Sequence, residues 1–319
     1  MKVVVIGAGL GGLSAAAYLA RSGHDVLVVE RDGIPGGRAG MIESHGFRLD
    51  NGPTVLTMPN LLEDAFNAAG AEMRDFVTIK KVDPMYRAVY EDGSELFVRH
   101  GREAMACEIA RFSNKVEAAS FHKFCDWLED LYRAEMNSFI DTNFNSPLDL
   151  VRPWRDGLRL VQMGAFRKLD KKIGSFFRDD RLQRIFSFQS MYAGLAPYEA
   201  LSLYAVITYM DSVEGVYFPE GGMHAMATGL ANAVTKAGVQ IRYDSPVTRI
   251  LRSAGSRGAV VGVELGGSER VVADAVVCNP DLPVAYRTLL GGVDAPRVAR
   301  NGKYSPSCLL RSEEHTSEL

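Results

Sequence analysis

Glycines at positions 7, 9 and 12, an acid at position 30 and an arginine at position 38 have the types and spacing to do chemistry together. In Gly7-x-Gly9-x-x-Gly12 the first glycine permits a tight turn and the second lets the backbone approach a pyrophosphate. The third lets a following helix pack close to a sheet, with its N-terminal N–H groups aimed at the phosphates. Glu30 follows Gly12 by 18 residues. An acid there accepts hydrogen bonds from both hydroxyls of a ribose and repels a 2′-phosphate. Arg38 follows Gly36 and Gly37 in "RDGIPGGRAG". The two glycines allow close backbone approach, and the arginine offers a rigid cationic fork to a second phosphate or to the edge of a flavin.

These residues work only if a strand, a turn, a helix and a second strand hold them in order. "KVVVI", residues 2–6, reads as a buried parallel strand, residues 10–22 as a helix ended by Gly23, and "HDVLVVE" as a second strand ending in Glu30. The 18 charge-free residues after Lys2 have the look of a signal peptide or a membrane span. Gly7, Gly9, Gly11 and Gly12 divide them into a β-branched run and an Ala/Leu run, which is strand, turn and helix, so the export reading is rejected. No other segment reaches spanning length. "RDGIPGGRAG" carries four glycines and a proline in ten residues, which a helix interior does not accept. An irregular chain running beside a long dinucleotide favours FAD over NAD.

With 319 residues, 47% apolar and 24% charged, the chain can form one large domain or two ordinary ones with a real core. A net charge of −3 gives no global reason to bind nucleic acid. The cysteines (Cys107, Cys125, Cys278, Cys308) are scattered, which reads as thiols in a reducing compartment rather than a metal site or a disulfide framework.

The N-terminal run through "GGRAG", followed by "GFRLDNGPTVLTMP", resembles the bacterial phytoene desaturases, flavin-dependent carotenoid dehydrogenases of the amine-oxidase-like superfamily. The resemblance continues through "RIFSFQSMYAGLAPYEALSLYAVITYMD", "GVYFPEGGMHAM" and "VVCNPDLPVAYRTLL", and covers nearly all of residues 1–310. It implies FAD as cofactor and places Gly52, Pro53 and Thr54 beside the flavin ring. By the residues alone, that loop is either a turn leading into a helix near Pro59-Asn60 or a wall against something flat and apolar. The superfamily also implies an adenine contact through the backbone at Val247.

Further along, residues 86–99 alternate around Asp92-Gly93, a hairpin signal. Residues 103–140 read as helical, with Phe121, Phe124, Leu128 and Leu131 on one buried face. Residues 152–184 hold ten Lys or Arg against four Asp, interleaved with Trp154, Leu158, Leu160, Phe166, Phe176 and Phe177. That composition fits a helix or helix pair on an anionic bilayer, or equally a solvated helix face whose apolar side is core. Residues 186–218 hold eight aromatics and three charges, all acidic, which suits a hydrocarbon tunnel or a packed core. Residues 218–234 read as a turn into a helix, "GVQIRYDSPVTRILRS" as two strands, and 258–278 as more strands. The final "RSEEHTSEL", residues 311–319, looks like an in-frame translation of a sequencing-library adapter. That implies a truncated chain lacking the family's C-terminal Gly-rich flavin motif, and leaves open whether it binds FAD.

The expectation is an α/β protein with a discontinuous, Rossmann-like FAD-binding domain and an inserted, largely helical α+β substrate domain. The FAD domain takes residues 1–75 and 216–310, the substrate and membrane-facing domain 76–215, and the non-native tail 311–319. The resemblance implies desaturation of phytoene to more conjugated carotenes. Its partners would be the carotene, a membrane surface through 152–184, and quinone or oxygen as electron acceptor, with the protein cytoplasmic and peripherally membrane-associated. Other carotenoid flavoproteins (a diapophytoene desaturase, isomerase or ketolase), an amine oxidase, and a non-catalytic binder of prenylated partners like the GDP-dissociation inhibitors remain alternatives. No catalytic residue is assigned; His224 and Asp211 are candidate proton acceptors by location only.

Overall fold

The computed structural model describes residues 1–140, 142, 146, 149, 153–253, 258–292 and 295–302. The adapter-like segment 311–319 and Cys308 lie outside them. The described chain forms two compact units.

The first unit comprises Met1–Arg87, Phe97–Met105 and Met210–Arg300. At its centre four parallel strands lie side by side in the order Ala275–Cys278, Lys2–Ile6, Asp25–Val29 and Gln240–Arg242. The period-2 alternation of a strand sends neighbouring side chains to opposite faces. Val5, Val26 and Val28 pack with Leu13, Ala16, Phe66, Leu230 and Val234, from the helices Leu10–Arg21, Pro59–Ala68 and His224–Lys236. Val4, Ile6, Leu27 and Val29 pack with Ile250, Val263, Leu265 and Val271. Those come from an antiparallel sheet of Val247–Arg252, Val260–Leu265 and Arg270–Val272. The unit is therefore three layers: helices, parallel sheet and antiparallel sheet. It is of the α/β class expected, with its parallel sheet assembled from both ends of the chain.

One element was not anticipated. Residues 41–50 form a hairpin, Met41–Ser44 with Phe47–Asp50. His45 and Gly46 take left-handed φ of 51° and 81°, as a two-residue hairpin turn of the mirror-image type requires.

The second unit comprises chiefly Ala88–Leu96 and Ala106–Tyr209, and is largely helical. The helical stretch expected over 103–140 is broken at Ser113–Asn114 into Arg102–Phe112 and Lys115–Glu135. Asn114 ends the run because its Oδ1 accepts the Val116 and Glu117 N–H groups at 2.9 and 3.0 Å, a cap contributing about 1 kcal/mol. The expected apolar face of Lys115–Glu135 is buried, and Phe124 lies 5.2 Å edge-on to Phe177 and 5.5 Å from Phe186. Residues 154–185 hold three short helices, Trp154–Met163, Leu169–Ile173 and Asp180–Ile185. The apolar residues of this zone divide between the two readings: Leu160 and Phe177 belong to the core, while Trp154, Leu158 and Phe166 are exposed. The aromatics of 186–218 disperse: Phe186 is core, Tyr192 and Tyr198 are exposed, and Tyr217 pairs in a strand. Among the described residues no helix is long and apolar enough to cross a membrane.

Candidate cofactor site

A cavity of about 680 Å³ opens at the carboxyl ends of the parallel strands, and all its lining residues belong to the first unit. Ligands of open α/β sheets bind at these ends, where helices begin and loops are free to vary. Gly7 leaves the first strand with φ +99° and donates its N–H to Val29 O at 2.8 Å. Gly12 then brings the helix against that turn. A methyl on Gly12 would lie 2.1 Å from Gly7 O, closer than atoms can approach. No side chain caps the helix, and its first residue, Leu10, lines the cavity.

Glu30 is buried just past the second strand. Its Oε2 accepts the Ala8 N–H at 2.6 Å and its Oε1 the Asp32 N–H at 3.0 Å. A carboxylate has about four acceptor sites, so these two bonds fix its orientation and leave capacity for a pair of hydroxyls. The loop after it folds back along the glycine turn, with Gly36 N–H on Ala8 O at 2.9 Å and a bridge between Gly9 and Gly36. Arg38 pairs with Asp281, and both side chains are more than half exposed. Such a pair contributes only about 0–1 kcal/mol, so the guanidinium is readily re-aimed at a phosphate.

Gly7, Gly9, Glu30, Gly37, Arg38, Pro53 and Val247 thus line one cavity. Gly12 and Gly52 stand behind the lining; a methyl on Gly52 would lie 1.7 Å from Arg38 O. Thr54 is exposed and is not among the lining residues. His224 and Asp211 do not line the cavity either. Asp211 is fully buried, accepting from Tyr86 Oη and, at 2.9 Å, from Ser212 Oγ. Asn279, Asp281 and Pro246 were missed. Asn279 backs the glycine turn, its Oδ1 3.0 Å from where a Cβ of Gly11 would stand. The signal was available, since "NPD" follows a parallel strand at its carboxyl end. Partial burial pushes the neighbouring Cys278 thiol up. Among the described residues no cluster of three or more His, Cys, Asp or Glu is placed to hold a metal.

A cradle without Cβ atoms, an uncapped helix start and a buried acid just past a strand end suit an anionic cofactor. Comparison with known proteins agrees. The family model described as flavin containing amine oxidoreductase matches residues 10–310. The chain belongs to that family. It is 49% identical over 308 residues to a phytoene dehydrogenase of Streptomyces griseus, covering 97% of this chain and 59% of that protein. It is 36% identical to a zeta-carotene-forming phytoene desaturase of Myxococcus xanthus, covering 91% and 55%. A crystal structure of an oxidoreductase from Methanosarcina mazei shares the fold at TM-score 0.59 and 22% identity, covering 92% of this chain and 62% of that one. The chain thus spans a little over half the length of the curated relatives it matches. As in its flavin-containing family, the cofactor is a flavin.

Proposed function

We propose that this flavin is FAD and that the full protein desaturates phytoene to more conjugated carotenes. The observation that carries the cofactor half is the glycine cradle with Glu30 held at its edge. The substrate half is supported by the 49% identity to a protein named phytoene dehydrogenase. What a bound flavin supplies is a two-electron sink for the hydride removed from a saturated C–C bond. The chain's own residues bind and orient it. Gly7, Gly9 and Gly12 admit the pyrophosphate, Glu30 receives the ribose hydroxyls, and Arg38 faces a phosphate or the flavin edge. Gly52, Pro53 and Thr54 form the loop beside the ring, and Val247 meets the adenine through its backbone. In this reading the first unit is the FAD domain, the second is the substrate domain, and quinone or oxygen reoxidises the flavin.

A carotene precursor dissolves in lipid, so the protein would work at a membrane surface from the cytoplasm. The helix Trp154–Met163 supports this. Trp154, Leu158 and Val161 recur at four- and three-residue spacing and are 61%, 51% and 59% exposed. Arg155 and Arg159 flank the stripe, and Lys168, Lys171 and Lys172 follow. An apolar stripe flanked by cations lies well in an anionic interface.

The test is to mix the full-length protein with FAD and phytoene-loaded anionic liposomes and follow products by chromatography with visible absorbance. New long-wavelength polyene bands are expected. A flavin-loaded protein that leaves phytoene unchanged would remove the substrate assignment and leave the cofactor site standing.

A further inference from the structure

The segment from Gly36 to Thr54 gives Arg38 and Pro53 to the cavity, and two side chains outside the cavity hold that segment from behind. Asp50, the last residue of the hairpin, accepts the Met223 N–H on Oδ2 at 2.8 Å and the His224 N–H on Oδ1 at 3.1 Å. Those N–H groups open the helix His224–Lys236, which takes no side-chain cap from its own N-cap residue. The four N–H groups at a helix start need outside partners and favour negative charge, and here a carboxylate from 173 residues upstream in the chain supplies both. The fit is tight at Gly222, where a Cβ would stand 2.8 Å from Asp50 Oδ2.

The second tie is His224, whose buried Nδ1 lies 3.1 Å from Ala39 O. A carbonyl only accepts, so Nδ1 carries the hydrogen. Gly36 leaves room for the ring: a Cβ there would be 3.1 Å from Nδ1. Between these ties the segment is knitted to itself. Ala39 N–H bonds Gly36 O at 2.9 Å, Asn51 N–H bonds Gly40 O at 3.2 Å, and Met41 is opposite Asp50 in the hairpin. The two ends of the hairpin, 36–40 and 51–54, therefore form one body fastened at two points to one helix start.

We propose that Asp50 and His224 are positioning residues for the flavin. They fix the backbone that carries Arg38 and Pro53, and so set how tightly the flavin is held and how its ring is surrounded. This rests on the flavin reading of the cavity. It goes beyond it by assigning control of the site to a pair that does not line it.

The experiment compares D50A, D50N and H224F with wild type, and with E117A as a control. Glu117 makes the same kind of tie in the second unit, its Oε1 accepting the Arg178 and Asp179 N–H groups at 3.0 and 3.3 Å. Amide exchange over 36–54 is measured without flavin, and flavin affinity by fluorescence quenching. D50A is expected to speed exchange over 36–54 and to weaken flavin binding about tenfold, the cost of ordering the loosened segment when flavin binds. D50N, which keeps one good acceptor, should fall between. H224F should also shift the flavin absorbance band, and E117A should change neither reading. Faster exchange in D50A with wild-type affinity would overturn the proposal, as would an equal affinity loss in E117A. A wild-type chain that takes up no flavin would sink the cavity reading and the proposal together. If wild type binds and D50A binds equally, the proposal alone falls.

Discussion

Beside the cavity two glycines leave no room for a side chain, since a Cβ on Gly12 would strike Gly7 O and one on Gly52 would strike Arg38 O. In the second unit rings fill the interior instead: Phe186 lies 5.2 to 5.5 Å from Phe121, Phe124 and Phe177, and Phe124 stands edge-on to Phe177. The first arrangement tolerates no added atom and the second no removed one. A site for a large anion needs bare N–H groups and space, which only absent side chains provide. A core with no ligand needs volume filled to crystal density. The two regions should therefore fail under opposite kinds of substitution.

The largest expected effect is Phe124→Ala, which leaves a cavity among those rings and costs about 3–5 kcal/mol. Denaturant unfolding should show it, while flavin affinity under native conditions stays at the wild-type value. Gly52→Ala reverses the pattern. The clash with Arg38 O costs about 1–3 kcal/mol or more, and flavin binding, read by fluorescence quenching, should be lost. Glu30→Ala removes the acceptors for Ala8 and Asp32 as well as for the ribose, and should weaken flavin binding about a hundredfold. Retained affinity in Glu30→Ala would mean that the cavity does not bind through its acid.

The remaining effects are in pH dependence and belong to the second unit. Burial without a compensating charge pushes Glu135 up to about 8 from its ordinary 4.5. Between those values the unfolded chain has released a proton that the folded chain still holds, so stability should fall as pH rises through this window. Glu135→Gln should flatten that slope. Hydrogen bonds from Arg181 hold Asp179 down at about 2 from its ordinary 3.8, so its contribution is present above 3.8 and lost as pH falls through 2. Thermal midpoints across pH, wild type against Glu135→Gln, check both limbs.

What the sequence disclosed divides along similar lines. The strand, glycine turn, helix and second strand were legible because each signal lies within about 30 residues and each strand holds an unbroken apolar run. The buried face of Lys115–Glu135 was legible for the same reason. The break at Asn114 was not, because apolar spacing continues across it and the cap depends on one side-chain rotation. The hairpin at 41–50 turns on His45-Gly46 rather than the stronger Asn-Gly or Asp-Gly signal. In 154–184, charge counting could not tell which apolar residues face inward, and Leu160 and Phe177 do. Of the candidate site, the lining glycines, Glu30 and Arg38 follow from local spacing. Asn279 and Asp281 lie far along the chain, and Asp50 acts on a helix 173 residues away, which no window of sequence displays.

The strand order of the parallel sheet has a consequence for synthesis. Lys2–Ile6 and Asp25–Val29 can pair as soon as they emerge, but their outer neighbours are Ala275–Cys278 and Gln240–Arg242. At about 5–20 residues per second, both free edges of that first pair wait on the order of 10–50 s for their partners. During that time the nascent chain presents two unpaired, Val-rich edges of the kind that recruit other strands. Demand for chaperones should therefore peak before Ala275–Cys278 has been made, and slowing translation between Val29 and Gln240 should lower soluble yield more than slowing it at the start.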